Sequence, residues 1–217
     1  MNISIPIDSI HLNGILTIPE KAKSIVIFAH GSGSSRLSPR NNQVAQYLNQ
    51  VKIATLLFDL LTEQEESIDI YTREYRFDIP LLADRLVKVT QWFLKQSDYK
   101  KLCIGYWGSS TGAAAALIAA AVLKQKIKAI VSRGGRPDLA GEYLSEVISP
   151  TLLIVGSLDS QVIELNKQAI KKMIGHSELK LVSGATHLFE EPGTFNIMIG
   201  LAKDFFIKHL NDQHMRE

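Results

Sequence analysis

The 217-residue chain has 46% hydrophobic and 21% charged residues, an ordinary globular balance that predicts a single domain over residues 1–217 with a sizeable core. Its formal net charge of +2 lacks the excess of basic residues expected of a protein that binds nucleic acid or an anionic membrane surface. The lone cysteine, Cys103, excludes an internal disulfide and a thiolate metal cluster. The opening MNISIPIDSI lacks a signal-peptide pattern, so a soluble cytoplasmic protein is expected.

The strands are predicted from short apolar segments. The opening stretch Asn2–Ile18 alternates and contains Asn13-Gly14, which predicts an antiparallel hairpin on the sheet edge. The later segments are almost continuously apolar, as is typical of strands covered on both faces in a parallel sheet. They are Ser24–His30, Ile53–Phe58, Leu102–Trp107, Lys128–Ser132, Thr151–Gly156 and Glu178–Ser183.

Helical patterns fill the intervals between these strands. Ser38-Pro39 supplies an N-cap and a first-turn proline for the first helix. The predicted helices are Pro39–Val51, Asp78–Gln96, Ser110–Leu123, Ser160–Ile174 and Thr194–Leu210. This alternation predicts an α/β fold, a three-layer sandwich around a mostly parallel sheet, with ligands bound at the carboxyl ends of the strands. Two loops, Asp59–Arg76 and Arg133–Tyr143, are expected to roof that edge.

A Gly-x-Ser-x-Gly sequence lies where a predicted strand meets a predicted helix. Ser110 has glycines on both sides, at Gly108 and Gly112, whereas Ser109 does not. Such a strand–turn–helix context is that of a nucleophile elbow, a turn so tight that its flanking positions must be glycine-sized. The alternative is a serine that only caps the helix. The frame favours Ser110 as the nucleophile.

A serine nucleophile needs a base and an orienting carboxylate, which follow in the order Ser, Asp or Glu, His in this fold. Asp159 and His187 each come directly after a predicted strand, in that order. Asp159 could instead cap the helix at Ser160, and Asp138 is the fallback acid. Among the six histidines, His187 is favoured by its place in the chain.

Acyl transfer also needs an oxyanion hole. The amide that follows the nucleophile, at Thr111, is one predicted donor. The other is the Ser32 amide, in the glycine-rich loop after the first central strand. A phosphate-binding loop is the competing interpretation of those glycines. No Lys-Ser/Thr pair follows them, so nucleotide binding is not expected.

With these residues assembled, the chain resembles an α/β-hydrolase of the dienelactone hydrolase-like family without a cap domain. The resemblance spans nearly the whole chain and is carried by FAHGSGSS, GYWGSSTGAAAA, SRGGRPDLAG, LIVGSLD and GATHLFEEPG. Dienelactone hydrolases proper use cysteine at the elbow, so Ser110 points to a serine esterase. Similar family members also occur beside or fused to phosphoribosyltransferase domains, which suggests a cellular context but no substrate.

Arginines are concentrated at the predicted carboxyl edge. Six of the eight lie there: Arg36, Arg40, Arg73, Arg76, Arg133 and Arg136. Because the guanidinium group suits bidentate binding of carboxylate or phosphate, one hypothesis is an anionic substrate, read by Arg133 and Arg136 beside the elbow. The alternative is that the many carboxylates of the same loops pair with these arginines and brace the loops.

The sequence therefore predicts a serine hydrolase for a small ester, lactone or thioester. Ser110 would attack the carbonyl, His187 would move the proton, and Asp159 would orient the imidazole. This chemistry requires no metal and no organic cofactor. An acyltransferase with the same three residues, and a non-catalytic scaffold that binds a partner enzyme, are the alternatives.

Overall fold

A computed structural model describes the backbone of residues 1–211 as one eight-stranded sheet with helices on both faces. The strands are β1 (Asn2–Ile7), β2 (Ile10–Thr17), β3 (Ser24–Ala29), β4 (Ile53–Phe58), β5 (Cys103–Ser109), β6 (Ile127–Arg133), β7 (Thr151–Gly156) and β8 (Ser177–Val182). The helices are α1 (Pro39–Gln50), α2 (Glu63–Thr72), α3 (Ile79–Lys95), α4 (Thr111–Leu123), α5 (Ser160–Ile170) and α6 (Thr194–Asn211). The predicted domain runs to residue 217, and its last six residues lie outside this description.

The spatial order of the strands is β1-β2-β4-β3-β5-β6-β7-β8. β1 pairs antiparallel with β2, and β2 pairs antiparallel with β4. All remaining pairs are parallel. The predicted fold class, a mostly parallel α/β sandwich with an antiparallel hairpin at its N-terminal edge, is confirmed. The elbow strand β5 lies in the middle of the sheet.

Successive side chains of the central strands pack alternately into two hydrophobic cores, one on each face of the sheet. In β3, Ile25 and Ile27 pack with α3 and α4, whereas Val26 and Phe28 pack with α1 and α6. This is the pattern of a strand buried on both faces. Helix α4 is buried nearly all round, as its uniformly apolar sequence predicts.

The hairpin prediction was wrong about the position of the turn. Ile7 pairs with Ile10, so the turn is Asp8-Ser9, and Asp8 adopts a φ of 47°. Aspartate is one of the residues that tolerates this left-handed region. Gly14 lies within β2, where a β-carbon would come within 3.2 Å of the side chains of Ile3 and Ile5. Its role is close packing between strands.

Two segments predicted as loops contain helical structure. Helix α2 occupies most of the predicted loop Asp59–Arg76, and a kinked 3-10 segment, Pro137–Glu146, overlaps the other loop. Helix α5 ends at Ile170, four residues before its predicted end. Within the described part of the chain, no helix combines the length and apolar character needed to cross a bilayer.

Candidate active site

Ser110 is the single residue between strand β5 and helix α4. Its backbone adopts φ 50° and ψ −120°, in a region that non-glycine residues rarely visit and that costs on the order of 1–3 kcal/mol. The residue occupies the N-cap position, but its side chain forms no capping hydrogen bond to the described helix. The structure thus argues against the interpretation of Ser110 as a helix cap, because the hydroxyl is not used for that purpose.

The two flanking glycines are required by close approach of the backbone. A β-carbon at Gly112 would lie 2.2 Å from the carbonyl oxygen of Ala29, and one at Gly108 would lie 2.4 Å from the α-carbon of Ala113. Both distances are well inside van der Waals contact. Only glycine therefore allows the strand, the turn and the helix to pack this tightly around Ser110, as the motif predicts.

Asp159 and His187 lie in the loops after β7 and β8, and their side chains meet. Nδ1 of His187 is 2.6 Å from Oδ2 of Asp159. Asp159 stands at the N-cap of α5 but forms no capping hydrogen bond to that described helix, which argues against the capping alternative. The fallback acid, Asp138, is instead paired with Arg136. A carboxylate at Nδ1 holds the proton there and leaves Nε2 as the free acceptor.

Ser110 and His187 line one open cavity of about 920 Å³ at the carboxyl edge of the sheet. The loop after β3 and the start of α1 form one wall of the cavity, and the first turns of α2 form another. Its lining is rich in hydroxyl groups and charges, including Arg36, Arg40, Asp59, Glu63, Glu66 and Arg133. A polar, open cavity of this size admits a small substrate or an exposed ester.

The two predicted oxyanion residues are in direct contact. The Ser32 amide donates a hydrogen bond to Oγ1 of Thr111 at 2.9 Å. A β-carbon on the preceding residue, Gly31, would come within 3.1 Å of the Ser110 β-carbon. The glycine therefore brings the Ser32 amide up to the elbow, where the Thr111 hydroxyl is its acceptor.

His30 connects this loop to the end of β4. Its Nδ1 lies 2.9 Å from the carbonyl oxygen of Gly31, and its Nε2 accepts a hydrogen bond from the Leu60 amide at 3.0 Å. Burial lowers the pKa of His30, and the hydrogen bond to Gly31 only partly offsets this effect. A neutral His30 therefore holds two loops of the cavity together.

A buried polar cluster behind the elbow was not predicted. The Trp107 indole donates to Oγ of Ser109 at 2.9 Å, and Ser109 Oγ donates to Oδ1 of Asn41 at 3.2 Å. The cluster ties α1 to the elbow strand. Its only signal in the sequence is an asparagine on the apolar face of α1, in register with Val44 and Leu48.

Helix α2 and the turn after it, residues 62–76, form a flap over the cavity that is anchored at both ends. At its start, Thr62 and Glu65 form a reciprocal capping box, and Glu65 also receives two hydrogen bonds from Arg85 on α3. At its end, Asp69 accepts hydrogen bonds from the Tyr75 amide and from Arg76. The Thr62-x-x-Glu65 pattern is the signal in the sequence that could have revealed this helix.

No protein-family model matches the chain. A crystal structure of a dienelactone hydrolase from Anabaena variabilis ATCC 29413 is 50% identical, covers 97% of both chains and has a TM-score of 0.95. The chain belongs to the dienelactone hydrolase-like family of α/β-hydrolases. The solved structure of Est1E from Butyrivibrio proteoclasticus shares the fold at 18% identity, covering 97% of this chain and 99% of its own, with a TM-score of 0.80.

Two curated relatives of this dienelactone hydrolase-like chain come from strains CDC 1551 and H37Rv of Mycobacterium tuberculosis. Each bears the name "putative phosphoribosyl transferase" and is 56% identical over 197 residues, or 91% of this chain. The match spans only 44% of each relative's length. The rest of each relative lies outside this match.

The arginines of this hydrolase fold are mostly engaged by carboxylates. The pairs are Arg36 with Asp59, Arg40 with Glu190, Arg76 with Asp69, Arg85 with Glu65, and Arg136 with Asp138. Arg136 makes two hydrogen bonds to its own partner, at 2.9 and 2.7 Å. This pairing favours the loop-bracing interpretation for Arg136, contrary to the hypothesis that it binds the substrate.

No group of three His, Cys, Asp or Glu side chains among the described residues is arranged to hold a metal ion.

Proposed function

We propose that this protein is a serine hydrolase of small carboxylic esters, lactones or thioesters. The observation that carries the proposal is the elbow itself: a strained, uncapped Ser110 at a helix N-terminus shares one cavity with a carboxylate-bound His187. Strain of this kind persists only where the surrounding structure enforces it, and it is concentrated at functional sites.

In this mechanism the hydroxyl of Ser110 attacks the ester carbonyl while Nε2 of His187 takes its proton. Asp159 orients the ring and stabilises the imidazolium. His187 then returns the proton to the leaving alcohol, and water hydrolyses the acyl-enzyme by the same steps in reverse. Over the full cycle, acylation consumes the ester, deacylation consumes one water, and Ser110 and His187 return to their starting states.

The oxyanion would be bound by the Thr111 amide at the N-terminus of α4, where the helix dipole also favours negative charge. The Ser32 amide contributes when the oxyanion replaces the Thr111 hydroxyl as its acceptor. The existing contact between Ser32 and Thr111 supports this proposal because it already directs the amide toward the elbow.

The transferase named in the mycobacterial relatives is proposed to belong to the part of those proteins that lies outside this match. Two observations support this assignment. The matching part covers only 44% of each relative, whereas the Anabaena dienelactone hydrolase matches this chain over 97% of both lengths. The hydrolase fold thus accounts for the shared segment.

The proposal is tested with a fluorophosphonate probe and a panel of 4-nitrophenyl esters and lactones. We expect labelling and turnover by the wild type, and neither by Ser110→Ala. Ser67→Ala removes another serine that lines the cavity and should leave both signals unchanged. The absence of a fluorophosphonate adduct on the folded wild-type protein would refute an activated Ser110.

The choice of acid is tested with a matched pair of variants. Asp159→Asn should lower kcat by about 10³- to 10⁴-fold, because the histidine loses its orienting carboxylate. Asp138→Asn removes the fallback acid, which is engaged by Arg136, and should change kcat by less than about threefold. A greater loss with Asp138→Asn would exchange the roles of the two acids.

A further inference from the structure

Arg73 and Arg133 are the two carboxyl-edge arginines without an acidic partner among the described residues, and of these only Arg133 is buried. It is only 6% exposed, and its Nε has no hydrogen-bond partner among the described residues. The guanidinium carbon lies 5.9 Å from the centre of the Phe189 ring. Leaving a buried charge uncompensated is strongly destabilising in proteins.

The charges around Arg133 do not neutralise it. Arg40 is a cation close enough to lower the pKa of Arg133, and it is already paired with Glu190. Of the carboxylates that line the cavity, Asp59 is bound to Arg36, while Glu63 and Glu66 lie on the flap. Burial, with a smaller effect from Arg40, lowers the pKa of Arg133 to about 10, so the group remains protonated at neutral pH.

Arg133 also lies next to the elbow. Its backbone carbonyl accepts a hydrogen bond from the Ser110 amide at 3.2 Å, and the residue lines the same cavity as Ser110 and His187. Arg133 pairs in the sheet with Ser109, the residue before the nucleophile, and adjacent strands are about 4.8 Å apart. A small substrate could reach both Arg133 and Ser110.

We propose that Arg133 binds an anionic group, a carboxylate or a phosphate, carried by the ester that Ser110 attacks. This inference rests on the proposed hydrolase function and makes Arg133 the specificity-determining residue of the cavity. The ligand supplies the negative charge that the fold does not, and the planar guanidinium group can bind it through two parallel hydrogen bonds. Arg136 has no such role, because Asp138 occupies its fork.

The kinetic test uses esters that differ only in the anion. For the acyl side, mono-4-nitrophenyl adipate is compared with 4-nitrophenyl hexanoate. For the alcohol side, 3-acetoxybenzoate and 3-acetoxyphenyl phosphate are compared with 3-acetoxybenzamide. We expect the wild type to prefer at least one anionic ester over its neutral counterpart. The anionic ester with the highest kcat/KM shows whether the site binds a carboxylate or a phosphate.

Arg133→Met should lower kcat/KM for the preferred anionic ester by about 10- to 100-fold, with less than about threefold change for the neutral ester. Arg133→Lys keeps the charge without the fork and should lie between the two. Arg136→Met is the matched control and should not alter the ratio of anionic to neutral turnover. Equal losses for both esters in Arg133→Met would overturn the proposal.

Equilibrium binding separates this inference from the hydrolase function. Adipate, 3-hydroxybenzoate and inorganic phosphate are titrated into wild type and Arg133→Met by calorimetry. At least one of these anions should bind the wild type and raise its Tm, and Arg133→Met should weaken that binding by more than about tenfold. Arg133-dependent binding without ester turnover would support the anion site and refute the hydrolase. Turnover of neutral esters without Arg133-dependent anion binding would support the hydrolase function and refute the anion site.

The stability of the unliganded variant is a further readout. If Arg133 were a structural brace, Arg133→Met would lower the Tm. A binding residue held without a partner instead predicts an unchanged or raised Tm, because the substitution removes a buried, uncompensated charge. A Tm that falls by several degrees, with anion binding retained, would assign Arg133 to the scaffold.

Discussion

At the elbow, two glycines and one serine share a turn in which no other arrangement of side chains fits. The packing constraint falls on Gly108 and Gly112, because the backbones of β3 and α4 approach them directly. The conformational constraint falls on Ser110, which has a β-carbon and still adopts a positive φ. Strain at one residue is therefore held in place by close packing at its neighbours.

A glycine pair in the same chain tests this explanation. Gly112→Ala should destabilise the fold by at least about 2 kcal/mol, because the new methyl group collides with the Ala29 carbonyl and backbone must move. Gly200→Ala is the control, since Gly200 lies within α6 and its β-carbon position has no atom within 4 Å from the described residues beyond its own helix backbone. It should stabilise the protein by up to about 1 kcal/mol. Urea denaturation measures both, and a neutral Gly112→Ala would contradict the packing argument.

At the scale of elements, the flap of residues 62–76 depends on two carboxylates, the buried Asp69 and the half-buried Glu65. Burial raises the pKa of Asp69, but the Arg76 side chain and the amides of Arg76 and Tyr75 outweigh it and hold the pKa below its usual range. For Glu65, Arg85 and Thr62 outweigh burial in the same way. Lowered acid pKa values stabilise the folded state above the ordinary value of about 4, and that contribution is lost as the pH falls through the lowered values.

The flap should therefore open in acid before the rest of the fold. We expect amide hydrogen-exchange protection in residues 63–76 to fall below about pH 4, while protection of the central strands persists. Uniform loss of protection across the chain would argue against separate anchoring of the flap.

Asp69→Asn should produce the same loosening at neutral pH. The substitution leaves Arg76 without its buried partner, so the KM of cavity substrates should rise several-fold with a smaller change in kcat. Asp84→Asn is the control, since Asp84 forms only an exposed pair with Lys88 on α3. A similar rise in KM for both variants would show that the flap anchor is not the cause.

At the scale of the whole molecule, the sheet joins the two cores. Trp92 packs against the core formed with α3 and α4, and Trp107 is buried in the core formed with α1 and α6. Because each central strand contributes alternate residues to both cores, neither face can lose its packing without disturbing the other. The sheet and the two cores on its faces are therefore expected to unfold as one cooperative unit.

The two tryptophans report on this cooperativity separately. In Trp107→Phe the remaining fluorescence comes from Trp92, and in Trp92→Phe it comes from Trp107. Within each variant, the fluorescence and far-UV circular dichroism transitions in urea should have the same midpoint. A fluorescence midpoint that precedes the circular dichroism midpoint in only one variant would indicate that one face melts first.

Much of this architecture could be predicted because its signals are local. Continuous apolar runs marked the central strands, and Ser38-Pro39 marked the start of α1. The same local reasoning failed where two signals competed. Asn13-Gly14 is a strong turn pair, yet Asp8-Ser9 forms the turn because that register buries Ile5 and Leu12. Helix α2 was predicted as a loop because its sequence is polar, although its capping box is present in the sequence.

The sequence by itself determined the α/β architecture, the edge of the sheet that carries the site, and the elbow at Ser110, because periodicity and glycine spacing are properties of the chain. Only the tertiary structure decided which charges meet. It joined Asp159 to His187 across 28 positions and Arg40 to Glu190 across 150, and it left Arg133 without an acidic partner among the described residues. Ion pairing depends on distances of a few ångströms between separate loops, and no spacing along the chain encodes those distances.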